Sequence, residues 1–186
     1  SHPRVRNAQR VILLNKAAVQ EKVQVDGPWT EPNPRGSSQI GLDPFAQCHQ
    51  IVGGSSSRHA HDEVEKHRMD AEFYSISRSS ALRIRRQIAS GNRVISVGTT
   101  TTRTLEHVVK SYGEVTAGSG WTDLFIYPGF RFEVVSGLVT NFHLPGSTLL
   151  LLVSAFAGRE LIREAYDLAI RKKYRFFSYG DAMLIL

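Results

Sequence analysis

The sequence predicts an α/β protein in which a mixed sheet is flanked by helices. Three observations carry that expectation: a helix, strand and helix succeed one another between residues 79 and 113, strand-like runs follow over 122–142, and a nearly all-apolar helix comes directly after them. Alternation of helical and extended periodicity at this spacing is the pattern of helices packed on a sheet rather than of a bundle or a sandwich.

The elements follow in chain order. "RVILLNKAAVQEKVQV" near the start mixes apolar spacings of two and four, so helix and strand are equally compatible with it. From Gly27 to Ser57 four of the seven prolines and a Gly-Gly-Ser-Ser-Ser run interrupt every periodicity, which predicts loop or disorder. "HDEVEKHRMDAEFYSIS" reads as an acidic helical turn leading into the strand "EFYSIS". "SSALRIRRQIASGN" starts on serine caps, carries Leu82, Ile84 and Ile88 as its buried stripe and stops at Gly91. "RVISVG" is a short β-branched strand, and "TTRTLEHVVKSYG" is a helix closed by Gly113. In "TDLFIYPGFRFEVVSGLVTNF" we expect two or three strands, with Pro128-Gly129 turning between "LFIY" and "FRFEVV". Ser147 caps the apolar helix "TLLLLVSAFAG", and "RELIREAYDLAIRKK" is amphipathic, with Leu161, Ala165, Leu168 and Ala169 on one face. "YRFFSYGDAMLIL" predicts an aromatic strand, a turn at Gly180 and an apolar strand.

Composition narrows the class of function. The net charge is +6 and the surplus lies in the first 110 residues, which favours a polyanionic partner without requiring one. A single cysteine, Cys48, leaves no internal disulfide and no cysteine cluster for zinc, and fits a reducing, cytoplasmic setting. The longest apolar run, residues 149 to 158, is too short to span a bilayer, so no membrane association is expected. Two parts of unequal character are predicted: a leader over 1–60, partly loop or disordered, and an α/β portion over 61–186.

Four stretches have the residue types that chemistry needs. "VISVGTTTTRTLE" points backbone N–H groups and hydroxyls beyond a strand's end, where a carboxylate or phosphate would sit, and Arg103 adds a bidentate cation; a plain Thr-capped turn is the alternative. "TNFHLPGST" places Asn141 and the titratable His143 between a strand and a buried helix, although a loop histidine bonded to a carbonyl would look the same. "FFSYGDAM" sets Tyr179 and Asp181 on a tight turn in aromatic surroundings, where Arg175 would keep the carboxylate ionised. "HRMDAEFY" offers His67, Asp70 and Glu72, with His59 and His61 nearby. His67 and Asp70 would share a helical face, but no third ligand is fixed, so no metal is expected. "IRKKYRFF" mixes cations with aromatics, and Phe176 and Phe177 read as core rather than as stacking platforms.

Taken in order, "VGTTTTRTLE", "GWTDLFIYPGFRFEVVSGLVTNFHLPGSTLLLLVSAFAG" and "YRFFSYGDAMLI" resemble the C-terminal half of the S-adenosylmethionine:tRNA ribosyltransferase-isomerases of queuosine biosynthesis, over about residues 62 to 186. The resemblance implies the C-terminal, incomplete part of that family's larger domain. It implies transfer and isomerisation of the ribosyl moiety of S-adenosylmethionine onto 7-aminomethyl-7-deazaguanine in the anticodon loop of tRNA, giving epoxyqueuosine. S-adenosylmethionine is then a consumed substrate rather than a cofactor, the partner is tRNA, and a monomer is expected. Our assignment on that basis gives the methionine carboxylate to Thr99, Thr100 and Arg103, proton transfer to His143, and polar anchoring of sugar or base to Asn141, Tyr179 and Asp181, with His67 and Glu72 as further substrate contacts.

The resemblance departs at two places. Family members show a His-x-Met-His-x-Glu pattern where "HRMDAE" puts Asp70 in place of the second histidine. Residues 1–60 do not resemble the expected preceding region, an arrangement that a truncated or frame-shifted gene would produce. A catalytically inactive remnant with weak RNA binding is therefore the competing expectation, whereas an unrelated α/β methyltransferase lacks its glycine-rich fingerprint here.

Overall fold

A computed structural model describes residues 10–14, 64, 67–177 and 179–186. The predicted α/β class holds. The main sheet has four strands in the order β1-β6-β5-β3, where β1 is Val11–Leu14, β3 Val94–Val97, β5 Val135–Asn141 and β6 Ala182–Ile185. β3 runs parallel to β5, whereas β6 is antiparallel to both β5 and β1, so the sheet is mixed. A separate antiparallel ribbon pairs β2 (Glu72–Ile76) with β4 (Gly118–Thr122). Among the described residues there are four helices: α1 (Arg78–Ala89), α2 (Thr99–Tyr112), α3 (Thr148–Ala157) and α4 (Arg159–Arg171).

Local sequence chemistry accounts for most boundaries. α1 starts because the Ser77 hydroxyl accepts from the Ser80 amide at 3.1 Å; the cap is thus two residues ahead of the first serine expected to serve. α2 ends where Gly113 takes the left-handed conformation, φ +78, and returns its N–H to the Val109 carbonyl. α3 starts on Ser147, whose hydroxyl accepts from the Leu150 amide. α4 closes without glycine: Lys173 occupies the left-handed region at φ +58 while Tyr174 N–H bonds the Ala169 carbonyl.

One face of the main sheet is buried. Ser96, Leu138, Ile185 and Val11 lie abreast across it, followed by Thr140, Met183 and Leu13, and α2 closes over it where Thr102 hydrogen-bonds Ser96 at 2.7 Å. α4 packs alongside, its Tyr166 ring edge-on to Phe142, which also contacts Tyr174 and Phe176. The connection into β5 is held by a carboxylate. Glu106 of α2, fully buried, accepts from three successive backbone amides, those of Glu133 at 2.8 Å, Val134 at 3.1 Å and Val135 at 2.8 Å. Burial raises its pKa, against the lowering effect of those three amides, and the Glu133 charge adds to the rise.

Several expectations need correction. "LFIY" and "FRFEVV" form no strand before Val135; the aromatic residues there pack as a loop against α3, with Phe132 edge-on to Phe156. The strand in this region is instead Gly118–Thr122, whose glycines carry no strand propensity and which pairs because Tyr74 needs a small neighbour: a Cβ on Gly120 would meet its hydroxyl at 3.0 Å. Leu82 and Leu168 are exposed, and Ala81 and Ile162 are buried in their place. Residues 67–71 are irregular, so His67 and Asp70 share no helical face, and the "YRFF" stretch is no strand. Phe176 packs on the core, whereas Phe177 is exposed. Within the expected leader, Val11–Leu14 is an edge strand of the main sheet, which resolves the ambiguous periodicity there. His59, His61, Cys48 and the proline-rich stretch lie outside the described residues.

Replacing Glu106 with Ala leaves the buried amides of Val134 and Val135 and the part-buried amide of Glu133 without their acceptor and is expected to cost about 3 kcal/mol or more in urea unfolding. A loss below about 1 kcal/mol would show that those amides find other partners.

Candidate functional site

Parallel pairing of β3 with β5, and antiparallel pairing of β5 with β6, brings the C-terminal ends of β3 and β5 and the N-terminal end of β6 to one edge of the sheet. Thr99 and Thr100 follow β3 there, Asn141 and His143 end β5, and Tyr179 and Asp181 precede β6. Gly98 fastens the first peptide to the second, its N–H donating to the Val139 carbonyl at 2.8 Å. Asn141 Nδ2 donates to the Asp181 carbonyl at 3.1 Å and fastens the second to the third. Three segments separated by about forty residues each therefore meet at one strand-end edge of the sheet, the place where α/β folds collect ligands.

His143 is held from two sides. Its Nε2 shares a 2.8 Å hydrogen bond with Thr140 Oγ1, and its backbone is gripped by Tyr166 of α4, whose hydroxyl accepts from the His143 N–H at 2.7 Å and donates to the His143 carbonyl at 3.2 Å. Burial lowers the imidazole pKa to about 4, so the ring is neutral at pH 7, and burial pushes the Tyr166 hydroxyl up to about 12. A neutral, oriented imidazole accepts a proton or a hydrogen bond without first losing one. Neither Thr140 nor Tyr166 was singled out from sequence. Tyr166 stood in the open on the apolar face of α4, beside Ile162, Ala165 and Ala169, where a tyrosine signals a buried hydroxyl in need of a partner.

Asp181 is almost fully buried and bound by Arg175. The Arg175 backbone N–H donates to Oδ2 at 2.6 Å, while Nε and Nη2 reach Oδ2 and Oδ1 at 3.3 and 3.2 Å in a bidentate fork. The hydrogen bond and charge of Asp181 in turn raise the Arg175 pKa. Tyr179, by contrast, is 66% exposed. α2 begins straight after Gly98 with no side-chain cap, so its first amides and the half-buried Thr99 and exposed Thr100 lie at the strand-end edge; the threonine caps of the simpler reading do not form.

Arg103 departs from this arrangement. One turn into α2, it is 2% exposed and turned toward the ribbon: Nη1 lies 2.9 Å from Glu72 Oε2, Nε donates to the Leu124 carbonyl at 2.8 Å and Nη2 to the Thr122 carbonyl at 3.4 Å. Glu72 Oε2 is in ionic contact without an aligned hydrogen bond. The guanidinium is thus committed to the scaffold rather than available to a substrate carboxylate. His67 belongs to the same neighbourhood, its ring tilted against Phe125 with centroids 5.2 Å apart. The nine residues singled out from sequence accordingly divide into a strand-end group of six and a ribbon-side group of Arg103, Glu72 and His67, joined through α2. Among the described residues no cluster of three His, Cys, Asp or Glu side chains could hold a metal, and no helix is long and apolar enough to cross a membrane.

Two stability measurements test these placements. His143 has a folded pKa near 4 and an ordinary value of 6.5, so the unfolded chain takes up the proton first as pH falls. Its contribution is complete above pH 6.5 and is lost as pH falls from there toward 4, by about 3 kcal/mol. The unfolding free-energy difference between the wild type and His143→Gln should therefore shift by that amount across the window and stay level above it. Arg103→Ala is expected to cost about 3 kcal/mol with no substrate present, because Glu72 loses its counter-charge; an unchanged midpoint would return Arg103 to the binding group.

Residues 46–185 match the family described as queuosine biosynthesis protein, a match that begins ahead of the boundary expected at residue 61. The chain is 57% identical over 125 residues to the S-adenosylmethionine:tRNA ribosyltransferase-isomerase of Moorella thermoacetica, covering 67% of this chain and 36% of that protein. It is 54% identical over 136 residues to the enzyme of the same name from a Thermoanaerobacter species, covering 73% and 40%. The crystal structure of S-adenosylmethionine tRNA ribosyltransferase from Thermotoga maritima superposes with a TM-score of 0.58 at 53% identity, covering 61% of this chain and 40% of that one. The chain thus spans well under half the length of these relatives, and with a family match over residues 46–185 and a mixed sheet that superposes on a solved relative it belongs to the queuosine biosynthesis protein family.

Proposed function

We propose that the strand-end edge of the sheet takes part in transferring the ribosyl moiety of S-adenosylmethionine to 7-aminomethyl-7-deazaguanine in tRNA, with isomerisation to epoxyqueuosine. The observation that carries this reading is the convergence of the Thr99, His143 and Asp181 peptides at one sheet edge in a chain of this family. In it, the uncapped start of α2 with Thr99 and Thr100 binds the methionine carboxylate through N–H and hydroxyl donors. His143, neutral and pinned by Thr140 and Tyr166, removes the proton from the carbon beside the sulfonium and so leaves that carbon nucleophilic; the aminomethyl nitrogen forms the new bond to the ribosyl group, and adenine and methionine are the leaving groups. Asn141 and Tyr179 anchor sugar or base, and Asp181, locked to Arg175, sets the turn that presents Tyr179. Arg103 and Glu72 act as a buried brace behind α2 in place of the carboxylate contact. S-adenosylmethionine is consumed, the chain acts as a monomer, and the single Cys48 suits the cytoplasm.

Coverage of 36% to 40% of the relatives favours a second reading, a catalytically inactive portion that binds RNA weakly. Adenine release from S-adenosylmethionine in the presence of precursor tRNA separates the two. On the first reading release occurs and falls by about 100-fold or more in His143→Gln. No release by the wild type, with RNA binding retained, establishes the second, and an unchanged rate in His143→Gln removes that residue from the chemistry.

A further inference from the structure

We infer that the connection from α4 to β6 is a docking surface for unpaired RNA bases, with Phe177 and Tyr179 as stacking platforms and Arg171, Lys172 and Lys173 as phosphate contacts. The inference rests on the family reading for its choice of RNA, and on three observations of this chain for its place.

The first is charge. Residues 111 to 186 carry equal numbers of basic and acidic groups, yet four of the basic ones fall within five residues, at Arg171, Lys172, Lys173 and Arg175, and all four are exposed. Arg175 is engaged by Asp181, so Arg171, Lys172 and Lys173 supply the unbalanced field.

The second is the placement of the aromatics. Tyr174 and Phe176 turn inward onto Phe142, whereas Phe177 is 45% and Tyr179 66% exposed. Phe177 holds its ring outward at φ +59, a backbone region that aromatic residues rarely adopt, and it is fixed there by its N–H donating to the Phe142 carbonyl at 3.0 Å. An apolar ring kept in water by an unfavourable backbone angle points to a use outside the core. The third is continuity: Phe142 lies between Asn141 and His143, so the surface adjoins the strand-end edge.

Cations that track a backbone beside exposed rings are what sequence-tolerant recognition of single strands requires, because every base has a face to stack while a closed duplex offers none. A second exposed pair, Phe73 with Trp121 on the ribbon at 5.4 Å, has acids as its nearest charged neighbours along the chain, Glu72, Asp70 and Asp123. It serves as the internal control.

Binding of the full 186-residue chain to a hairpin RNA with an unpaired loop, and to a blunt duplex RNA of the same length, tests the inference without S-adenosylmethionine. Phe177→Gly combined with Tyr179→Ala should weaken hairpin binding by about tenfold or more and leave duplex binding as it was. Glycine also relaxes the φ at 177, so unchanged or raised thermal stability excludes unfolding as the cause. Arg171→Ala with Lys172→Ala should weaken both RNAs and lower the salt slope by about one to two. Trp121→Ala should change neither. Wild-type hairpin affinity in the aromatic variant, or equal loss of hairpin and duplex, overturns the inference. Since no ribosyl transfer is read, an inactive chain that still shows these differences counts against the proposed reaction alone.

Discussion

The fold depends on one buried carboxylate. Glu106 projects from the middle of α2 and accepts from the amides of Glu133, Val134 and Val135, which are the residues where the irregular loop after the ribbon becomes β5. Glu133 and Val134 precede the β5 ladder, which opens at Val135 opposite Val94, and buried amides without acceptors are strongly unfavourable. By meeting all three at once, Glu106 fixes where β5 begins relative to α2, and α2 is in turn attached to β3 through Thr102 and Ser96. The parallel register of β3 and β5 follows, and the strand-end edge is the far end of that register.

Polar contacts at that edge are arranged to hold positions rather than to leave charges free. Tyr166 grips the His143 backbone by both its N–H and its carbonyl, Thr140 fixes the ring, and Arg175 clasps Asp181. The outcome is a neutral imidazole at the end of β5 and a locked turn before β6, with Asn141 fastening β5 to that turn. Behind α2, the Arg103 and Glu72 pair and its carbonyl partners tie the helix to the ribbon. The helix that opens onto the strand-end edge is thus braced at both its first and second turns.

The second face of the main sheet is also apolar. Ile95 and Gly137 lie abreast on it, close enough that a Cβ on Gly137 would meet Ile95 Cγ1 at 3.0 Å and Leu186 Cδ2 at 3.3 Å, and Val97, Val139, Leu184 and Ile12 follow in the next row. Ile95 and Val97 are exposed among the described residues. Sheets containing parallel strands are ordinarily covered on both faces, and the chain spans only 36% to 40% of the relatives it matches.

Periodicity and punctuation alone determined the four helices, β2, β3, β6 and the α/β class, because helix caps at Ser147 and Gly113 and β-branched runs such as "VISV" are local chemistry. They also marked the Thr-rich turn, Asn141 and His143, and the Tyr-Gly-Asp turn, and they suggested the partnership of Arg175 with Asp181. Tertiary structure decided the rest. Gly118–Thr122 became a strand with Gly120 leaving space for Tyr74, and "LFIY" became a loop in which Leu124 and Ile126 reach the core while Phe125 and Tyr127 contact each other. Arg103 went to Glu72 and Phe177 to solvent. Each of these outcomes is set by which distant residue supplies a counter-charge, a cavity or an acceptor, and spacing along the chain does not encode that choice.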